Sequence, residues 1–233
     1  MTGGARRIGQ AIALALAEAG ANLLLHYNRS ASDAEETAAR AADLGADVRL
    51  VGADLSDPEA AAGIVAGAGD LSPVQILVNS AAMFPDDTLL DMTSEQWERT
   101  LGVNLRGPVF LTQAFANALP EEAEGAVVNV TDWRVQRPYP EHFSYTVAKG
   151  ALNAFTEAAA NSLAPRIRVN GVALGAMLPP PGRDSAYLQE LAQEIPLQRV
   201  GGTEPVASAV LFLIRNHFAT GEIVRVDGGA HLR

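Results

Sequence analysis

The chain of 233 residues contains no cysteine, which excludes disulfide bonds, thiolate metal ligands and a cysteine nucleophile. Histidine is also scarce, with four scattered copies, so the sequence predicts no metal site. Cationic residues are outnumbered, because 17 Lys and Arg stand against 27 Asp and Glu, for a formal net charge of -10. That balance argues against broad electrostatic attraction to nucleic acid or to an anionic membrane surface.

Long hydrophobic runs are missing as well. The most apolar stretch, residues 8–25, is interrupted by Glu18 and Gly20, and no cationic leader or small-residue cleavage site accompanies it. We therefore expect a cytoplasmic protein. With 48% apolar residues, the chain is long enough to bury one sizeable core, so we expect a single domain over residues 1–233.

Short apolar segments alternate with helical patterns along the chain. Ser32 is expected to cap the second helix, Gly45 to end it, and Thr93 or Ser94 to cap the fourth. The alternation is typical of βαβ units, so we predict an α/β fold with a doubly wound parallel sheet between two helical layers. A stretch rich in Pro and Gly, residues 175–203, is predicted to be irregular, with a substrate lid over about 176–203. The predicted strands span 21–27, 47–53, 75–81, 126–131, 167–174 and 222–228, and the predicted helices span 8–19, 32–44, 57–68, 93–119, 145–163 and 204–215.

A glycine-rich turn opens the chain, in the sequence MTGGARRIGQ. In a βαβ unit, such a turn follows a strand and lets the first N–H groups of the next helix approach a pyrophosphate. An ordinary glycine turn is the alternative. We expect the first strand to precede Thr2 and to lie between the strands at 21–27 and 75–81. Without it, buried backbone groups of both strands would lack partners, so we predict that the strand is encoded upstream of Met1.

The strand at 21–27 is followed by Asn28, Arg29 and Ser30, with no acidic residue. A carboxylate at this place would accept hydrogen bonds from a ribose 2′-hydroxyl, whereas arginine with amide and hydroxyl donors suits a 2′-phosphate. The pattern therefore favours NADP over NAD. The alternative is that Arg29 is a solvated surface charge.

Tyr145 and Lys149 lie four residues apart, on one face of the helix predicted at 145–163. A lysine ammonium within a few ångströms favours the phenolate of a tyrosine, so the pair predicts a hydroxyl that exchanges a proton near neutral pH. The alternative is a pair on the helix surface, which any sequence can contain.

Taken in order along the chain, these motifs resemble the short-chain dehydrogenase/reductase family over nearly its whole length. The family's proteins are usually homotetramers with the tyrosine-bearing helix at a subunit interface. The matching motifs are TGGARRIG at 2–9, Asp54-Leu55, NSAA at 79–82, Asn104, YTVAK at 145–149, RVN at 168–170, Thr220-Gly221 and VDGG at 226–229.

The family usually has a catalytic serine thirteen residues before its tyrosine, and this sequence has Asp132 there. Ser144 is not a substitute, since adjacent helix residues point about 100° apart. An aspartate at this position resembles the pattern of the pteridine reductase subgroup. Two further positions resemble that subgroup, Arg7 in place of a middle glycine and Phe84 five residues after Asn79. The C-terminal DGGAHLR is similar to dihydromonapterin reductases. Phe84 could stack on a flat pterin, worth about 1 kcal/mol beyond area burial, or it could be a core aromatic.

The resemblance implies NADPH-dependent reduction of a small-molecule pterin by a homotetramer, with no nucleic acid, membrane or metal involved. Tyr145 would donate the proton, Lys149 would hold the nicotinamide ribose, Asp132 would donate a proton or orient Tyr145, and Asn104 would support proton relay. A generic carbonyl reductase and a catalytically silent dinucleotide-binding protein are the alternatives. The implied catalytic residues are Asn104, Asp132, Tyr145 and Lys149; the cofactor-binding residues are Gly3, Arg6, Arg7, Ile8, Gly9, Asn28, Arg29, Ser30, Asp54, Leu55, Asn79, Ala81, Lys149, Gly175 and Met177; and the substrate-binding residues are Arg7, Phe84, Asp132 and Tyr145.

Overall fold

The computed structural model describes residues 1–71, 73–179 and 185–233. Its strands, all paired in parallel, confirm the predicted α/β fold class. The strands of the described residues are β1 (Leu23–Tyr27), β2 (Val48–Gly52), β3 (Ile76–Asn79), β4 (Gly125–Asp132), β5 (Ile167–Leu174) and β6 (Ile223–Val226). The α-helices of the same residues are α1 (Arg7–Glu18), α2 (Ala31–Asp43), α3 (Ala60–Ala66), α4 (Ser94–Leu101), α5 (Gly107–Ala118), α6 (Phe143–Leu163), α7 (Ser185–Glu194) and α8 (Glu204–Arg215).

The strands lie in the orders β1-β2 and β3-β4-β5-β6, and the two groups meet at the N-terminus. The Met1 amine donates to the Leu24 carbonyl at 2.6 Å, and the Met1 carbonyl accepts from the His26 amide. On the other side, the Thr2 amide donates to the Val78 carbonyl at 2.9 Å. Met1 and Thr2 thus connect β1 to β3, and the strand expected upstream of them stays a prediction.

Helices cover both faces of the strands. Neighbouring residues of a strand point in opposite directions, so each strand has side chains buried on both faces. Val78 and Val128 belong to a core beneath α1, α2 and α8, whereas Leu77 and Val127 belong to a core beneath α3, α5 and α6. The continuous apolar runs of β3 and β4 are explained by burial on both faces. The carboxyl ends of these strands lie at one edge of the sheet, where most of the predicted site residues are found.

Several predicted boundaries are corrected. Helix α2 begins at Ala31 after Ser30, so Ser32 is not its cap. The long helix predicted at 93–119 is divided by a π-helical turn at Gly102–Arg106, although Thr93 does form the predicted cap, in a reciprocal pair with Gln96. Part of the stretch predicted to be irregular, 175–203, is helix α7, and residues 180–184 of the predicted lid lie outside the described residues.

No described helix is long and apolar enough to cross a bilayer. The described His, Asp and Glu side chains also form no group of three or more that could hold a metal ion.

Candidate active site

The glycine turn is packed so closely that side chains are excluded from it. A Cβ atom at Gly9 would lie 1.9 Å from the Gly3 carbonyl oxygen, and one at Gly3 would lie 2.8 Å from the Cα of Ala81. Gly3 also has a φ of 64°, which favours glycine. The turn is fixed to the end of β3, because the Thr2 hydroxyl accepts from the amides of Ser80 and Ala81 at 3.1 and 3.2 Å.

Helix α1 starts directly after this turn and has no side-chain cap. Arg6 stands at the cap position with an extended backbone, and its side chain accepts no hydrogen bond from the helix amides. Both Arg6 and Arg7 are exposed. Ile8 is half-buried and packs on the core. The first N–H groups of α1 can therefore donate hydrogen bonds to an anionic group such as a pyrophosphate, with two guanidinium groups nearby.

Beside the turn, the ends of β1 and β2 place further predicted residues at the same edge. Asn28 and Arg29 are exposed just after β1, and Ser30 precedes α2 without capping it. After β2, Asp54 accepts from the amide and hydroxyl of Ser56 at 2.9 and 2.7 Å, and these hydrogen bonds lower the pKa of Asp54. Asp54 is thus a charged acceptor near the exposed end of β1.

The side chains of some predicted cofactor-binding residues pack or form hydrogen bonds inside the protein. Leu55 and Met177 belong to the two cores. The Asn79 amide donates to the Asn129 side chain at 2.8 Å within the sheet. The family resemblance implies that Gly175 and Met177 contact the nicotinamide carboxamide through backbone groups. The Gly175 N–H is not available for this contact, because it already donates to the Val226 carbonyl at 2.8 Å. Glycine is nevertheless needed there, since a Cβ would lie 2.6 Å from the Cα of Asp227.

Asp132 and Tyr145 meet at the carboxyl end of β4. The Tyr145 hydroxyl donates to Asp132 Oδ2 at 2.8 Å, and Asp132 Oδ1 accepts from the Arg134 amide at 2.8 Å. Burial raises the pKa of Asp132, although the hydrogen bonds from Arg134 and Tyr145 oppose that rise. The arrangement forms a polar pair in which protonation of Asp132 is favoured relative to an exposed aspartate.

Lys149 lies one turn further along α6 and is buried with Tyr145, so the pair is not on the helix surface. The Lys149 ammonium donates to the Val130 carbonyl at 2.7 Å and stands 5.6 Å from the centre of the Tyr145 ring. Burial lowers the pKa of Lys149 to about 8. The expected phenolate is wrong for this arrangement, because burial and then Asp132 raise the pKa of Tyr145 well above its usual value. The hydroxyl is therefore a neutral donor.

Asn104 is buried in the π-helical turn, on the other side of the site. Its side chain accepts from the Met83 amide and donates to the Met83 carbonyl, each at 2.8 Å. Asn104 thus fixes the loop that carries Phe84 and does not bond to Tyr145. On the lid side, the Arg7 guanidinium donates to the Pro179 carbonyl at 2.7 Å, which joins the glycine turn to the chain after β5.

Phe84 is 39% exposed, so it is not a core aromatic. Its ring meets the Tyr145 ring edge-on, with centroids 4.7 Å apart. One face of Phe84 is stacked on the His142 ring at a centroid distance of 3.7 Å. A flat ligand at Phe84 would therefore use the opposite face or displace His142.

Three residues of this region were not predicted: Asp87, Arg134 and His142. Asp87 and His142 join the loop after β3 to the start of α6, where the His142 ring bonds to the Pro85 carbonyl at 2.6 Å. The Arg134 guanidinium lies 5.7 Å from the centre of the Phe84 ring. The available signals in the sequence were the positions of Arg134, two residues after Asp132, and of His142, three residues before Tyr145.

Known proteins are similar to this protein over nearly the whole chain. Residues 3–231 match the family model described as enoyl-(acyl carrier protein) reductase. A protein of Streptomyces violaceoruber named as ketoacyl reductase 2 of the granaticin polyketide synthase is 35% identical, over 100% of this chain and 95% of its own length.

Two similar solved structures are FolM alternative dihydrofolate reductase 1 from Brucella canis and from Brucella suis, both in complex with NADP. The first is 38% identical with a TM-score of 0.93, covering 100% of this chain and 93% of that one. The second is 37% identical with a TM-score of 0.92, covering 100% and 94%. The protein therefore belongs to the short-chain dehydrogenase/reductase family of oxidoreductases.

Proposed function

We propose that this protein uses NADPH to reduce the C=N bond of a dihydropterin, with Tyr145 as the proton donor. The observation that carries the proposal is the hydrogen bond of 2.8 Å between the Tyr145 hydroxyl and Asp132, beside the partly exposed ring of Phe84. Asp132 occupies the place where a serine is usual in the family. The names and bound NADP of the two Brucella neighbours support the same substrate class and cofactor.

The residues at the sheet edge fit a dinucleotide phosphate. The turn has no room for side chains at Gly3 and Gly9, where backbone would lie 2.8 and 1.9 Å from an added Cβ, and the uncapped start of α1 offers N–H donors. Arg6 and Arg7 would face the phosphates, while Asn28, Arg29 and Ser30 would hold a 2′-phosphate. NADPH, when bound, supplies the hydride.

The protein's own part in the reaction is delivery and replacement of one proton. As hydride adds to the carbon of the C=N bond, the neutral Tyr145 hydroxyl delivers its proton to the ring nitrogen. The raised pKa of Tyr145 keeps its hydroxyl protonated at neutral pH, and the ring nitrogen becomes basic enough to take this proton as hydride adds to the adjacent carbon. Asp132, whose pKa is raised by burial, then returns a proton to Tyr145, and Lys149 stabilises the negative charge that remains.

The test is NADPH oxidation by the purified protein with dihydrobiopterin and with a panel of ketones. We expect turnover of dihydrobiopterin at a kcat/KM at least about tenfold above that of any ketone, equivalent to about 1.4 kcal/mol in transition-state binding. A preference for ketones would favour a carbonyl reductase, the alternative that the ketoacyl reductase relative supports. Tight NADPH binding without any turnover would indicate a silent dinucleotide-binding protein. The homotetramer also stays a prediction, which light scattering can test.

A further inference from the structure

Arg134 lies beside Asp132, to which its amide donates, and near two partly exposed aromatic rings. Its guanidinium stands 5.0 Å from the centre of the Tyr139 ring and 5.7 Å from that of Phe84. Both rings are 39% exposed. Among the described residues the guanidinium donates no hydrogen bond, so its N–H groups can serve other partners.

The positive charge of Arg134 has no counterion among residues 1–71, 73–179 and 185–233, where no carboxylate comes within 4.0 Å of the guanidinium. The nearest candidate, Asp132, is occupied, since its oxygens accept from the Arg134 amide and the Tyr145 hydroxyl. The guanidinium is still close enough to lower the pKa of Asp132 and Tyr145, in opposition to burial. A half-buried arginine without a carboxylate, next to a substrate ring site, is suited to an anionic group of the substrate.

We propose that Arg134 determines substrate specificity by binding a carboxylate on the side chain of the pterin. This inference rests on the proposed function and deepens it. The Phe84 ring meets the Tyr145 ring edge-on, and the Arg134 guanidinium stands near both Phe84 and Tyr139, so a substituent that extends from a pterin at Phe84 toward Tyr139 would pass this guanidinium. The enzyme therefore prefers a pterin with an acidic side chain, as in dihydrofolate, to one with a neutral side chain, as in dihydrobiopterin.

The test measures kcat and KM for dihydrofolate and dihydrobiopterin with saturating NADPH. In Arg134→Met we expect the KM for dihydrofolate to rise about tenfold, the size expected for loss of one charged hydrogen bond. The KM for dihydrobiopterin should change less than about twofold. Because the guanidinium also acts on the pKa of Asp132 and Tyr145, any change in kcat should be the same for both substrates. Arg134→Lys should recover part of the loss, and the exposed neighbour Arg137→Met should match the wild type for both substrates.

Three results would overturn the inference while leaving the proposed function in place. An equal rise in both KM values would mean that Arg134 only packs against the rings. A shifted pH profile of kcat with unchanged KM values would mean that it only tunes Asp132 and Tyr145. Wild-type kcat/KM values that are equal for the two substrates would remove the predicted preference. Failure to reduce either pterin would instead overturn the proposed function and, with it, this inference.

Discussion

Two neighbouring residues of α6, Ser144 and Tyr145, each donate a hydroxyl hydrogen bond to an aspartate, yet the two pairs are built differently. Asp87 accepts from both the hydroxyl and the amide of Ser144, and its carbonyl accepts from the Phe143 amide at 3.1 Å. The Asp87 and Ser144 side chains are closed off, with exposures of 2% and 0%. This pair binds the loop after β3 to the first turn of α6, where a carboxylate also complements the helix dipole.

The second pair, Asp132 and Tyr145, joins the end of β4 to the same helix turn but opens onto the site. Tyr145 contacts the partly exposed ring of Phe84, whereas Ser144 points to Asp87, as expected for adjacent residues about 100° apart on a helix. The Ser144 hydroxyl therefore holds the helix in place, and the adjacent Tyr145 faces the open site. If so, substitutions in the first pair change stability, and substitutions in the second pair change catalysis.

The largest effect is expected for Tyr145→Phe, which removes the hydroxyl and keeps the ring beside Phe84. We expect kcat for a dihydropterin to fall about 10³-fold, because general acid catalysis of this kind contributes about 10² to 10⁴-fold. NADPH oxidation gives kcat, and fluorescence titration should show unchanged NADPH binding. A kcat within about tenfold of the wild type would mean that another group donates the proton.

Asp87→Ala should have the largest effect on stability. The substitution leaves the Ser144 amide and hydroxyl buried without an acceptor, so we expect the free energy of unfolding to fall by about 3 kcal/mol. Urea denaturation measures the change. The adjacent and exposed Asp86→Ala is the matched control, with an expected change within about 0.5 kcal/mol. Equal losses in the two variants would show that Asp87 does not hold the helix.

Asp132→Asn should reduce kcat about tenfold. It should also change how the free energy of unfolding depends on pH, because each unit of difference between the folded and unfolded pKa corresponds to about 1.4 kcal/mol. Burial raises the pKa of Asp132 above its unfolded value, so the contribution of Asp132 to stability is fully present below the ordinary aspartate range. The wild type loses that stability as the pH rises through the folded pKa, because ionisation is then favoured in the unfolded chain.

An asparagine side chain in place of Asp132 does not titrate, so the stability of Asp132→Asn relative to the wild type should increase as the pH rises over that window and then level off. Urea denaturation over a pH series checks this, with Asp86→Asn as the control that should follow the wild type. Full reductase activity of Asp132→Asn across pH would exclude a role for Asp132 in proton transfer.

The sequence predicted the pair of Asp132 and Tyr145 but not the neighbouring pair of Asp87 and Ser144. The spacing of apolar residues indicates strands and helices, because the side chains that one element buries recur every few residues. The strand β4 and the helix α6 were predicted in this way. The spacing of thirteen residues between Asp132 and Tyr145 is typical of the family and marked the pair. Asp87 and Ser144 are 57 residues apart, and no periodic pattern or motif connects them.

The electrostatics of the site also could not be predicted from spacing alone. The four-residue interval placed Lys149 near Tyr145, but burial and Asp132 decide the pKa of Tyr145 in the opposite direction. Both causes depend on tertiary packing. Helix α7 was missed because the Pro and Gly before Ser185 dominate the composition of the segment, while the helical sequence after it is short.

The smallest effect is expected for Ser144→Ala, which separates the two pairs most sharply. Asp87 keeps its bond from the residue 144 amide, so only one hydroxyl donor is lost and the free energy of unfolding should fall by about 1 kcal/mol. Because the Ser144 hydroxyl points away from Asp132, kcat should stay within about twofold of the wild type. Denaturation and NADPH oxidation on the same preparation measure both quantities. A kcat more than about tenfold lower at unchanged stability would mean that Ser144 takes part in proton transfer with Asp132 and Tyr145. A hydroxyl with a purely structural role would lower stability and not kcat alone.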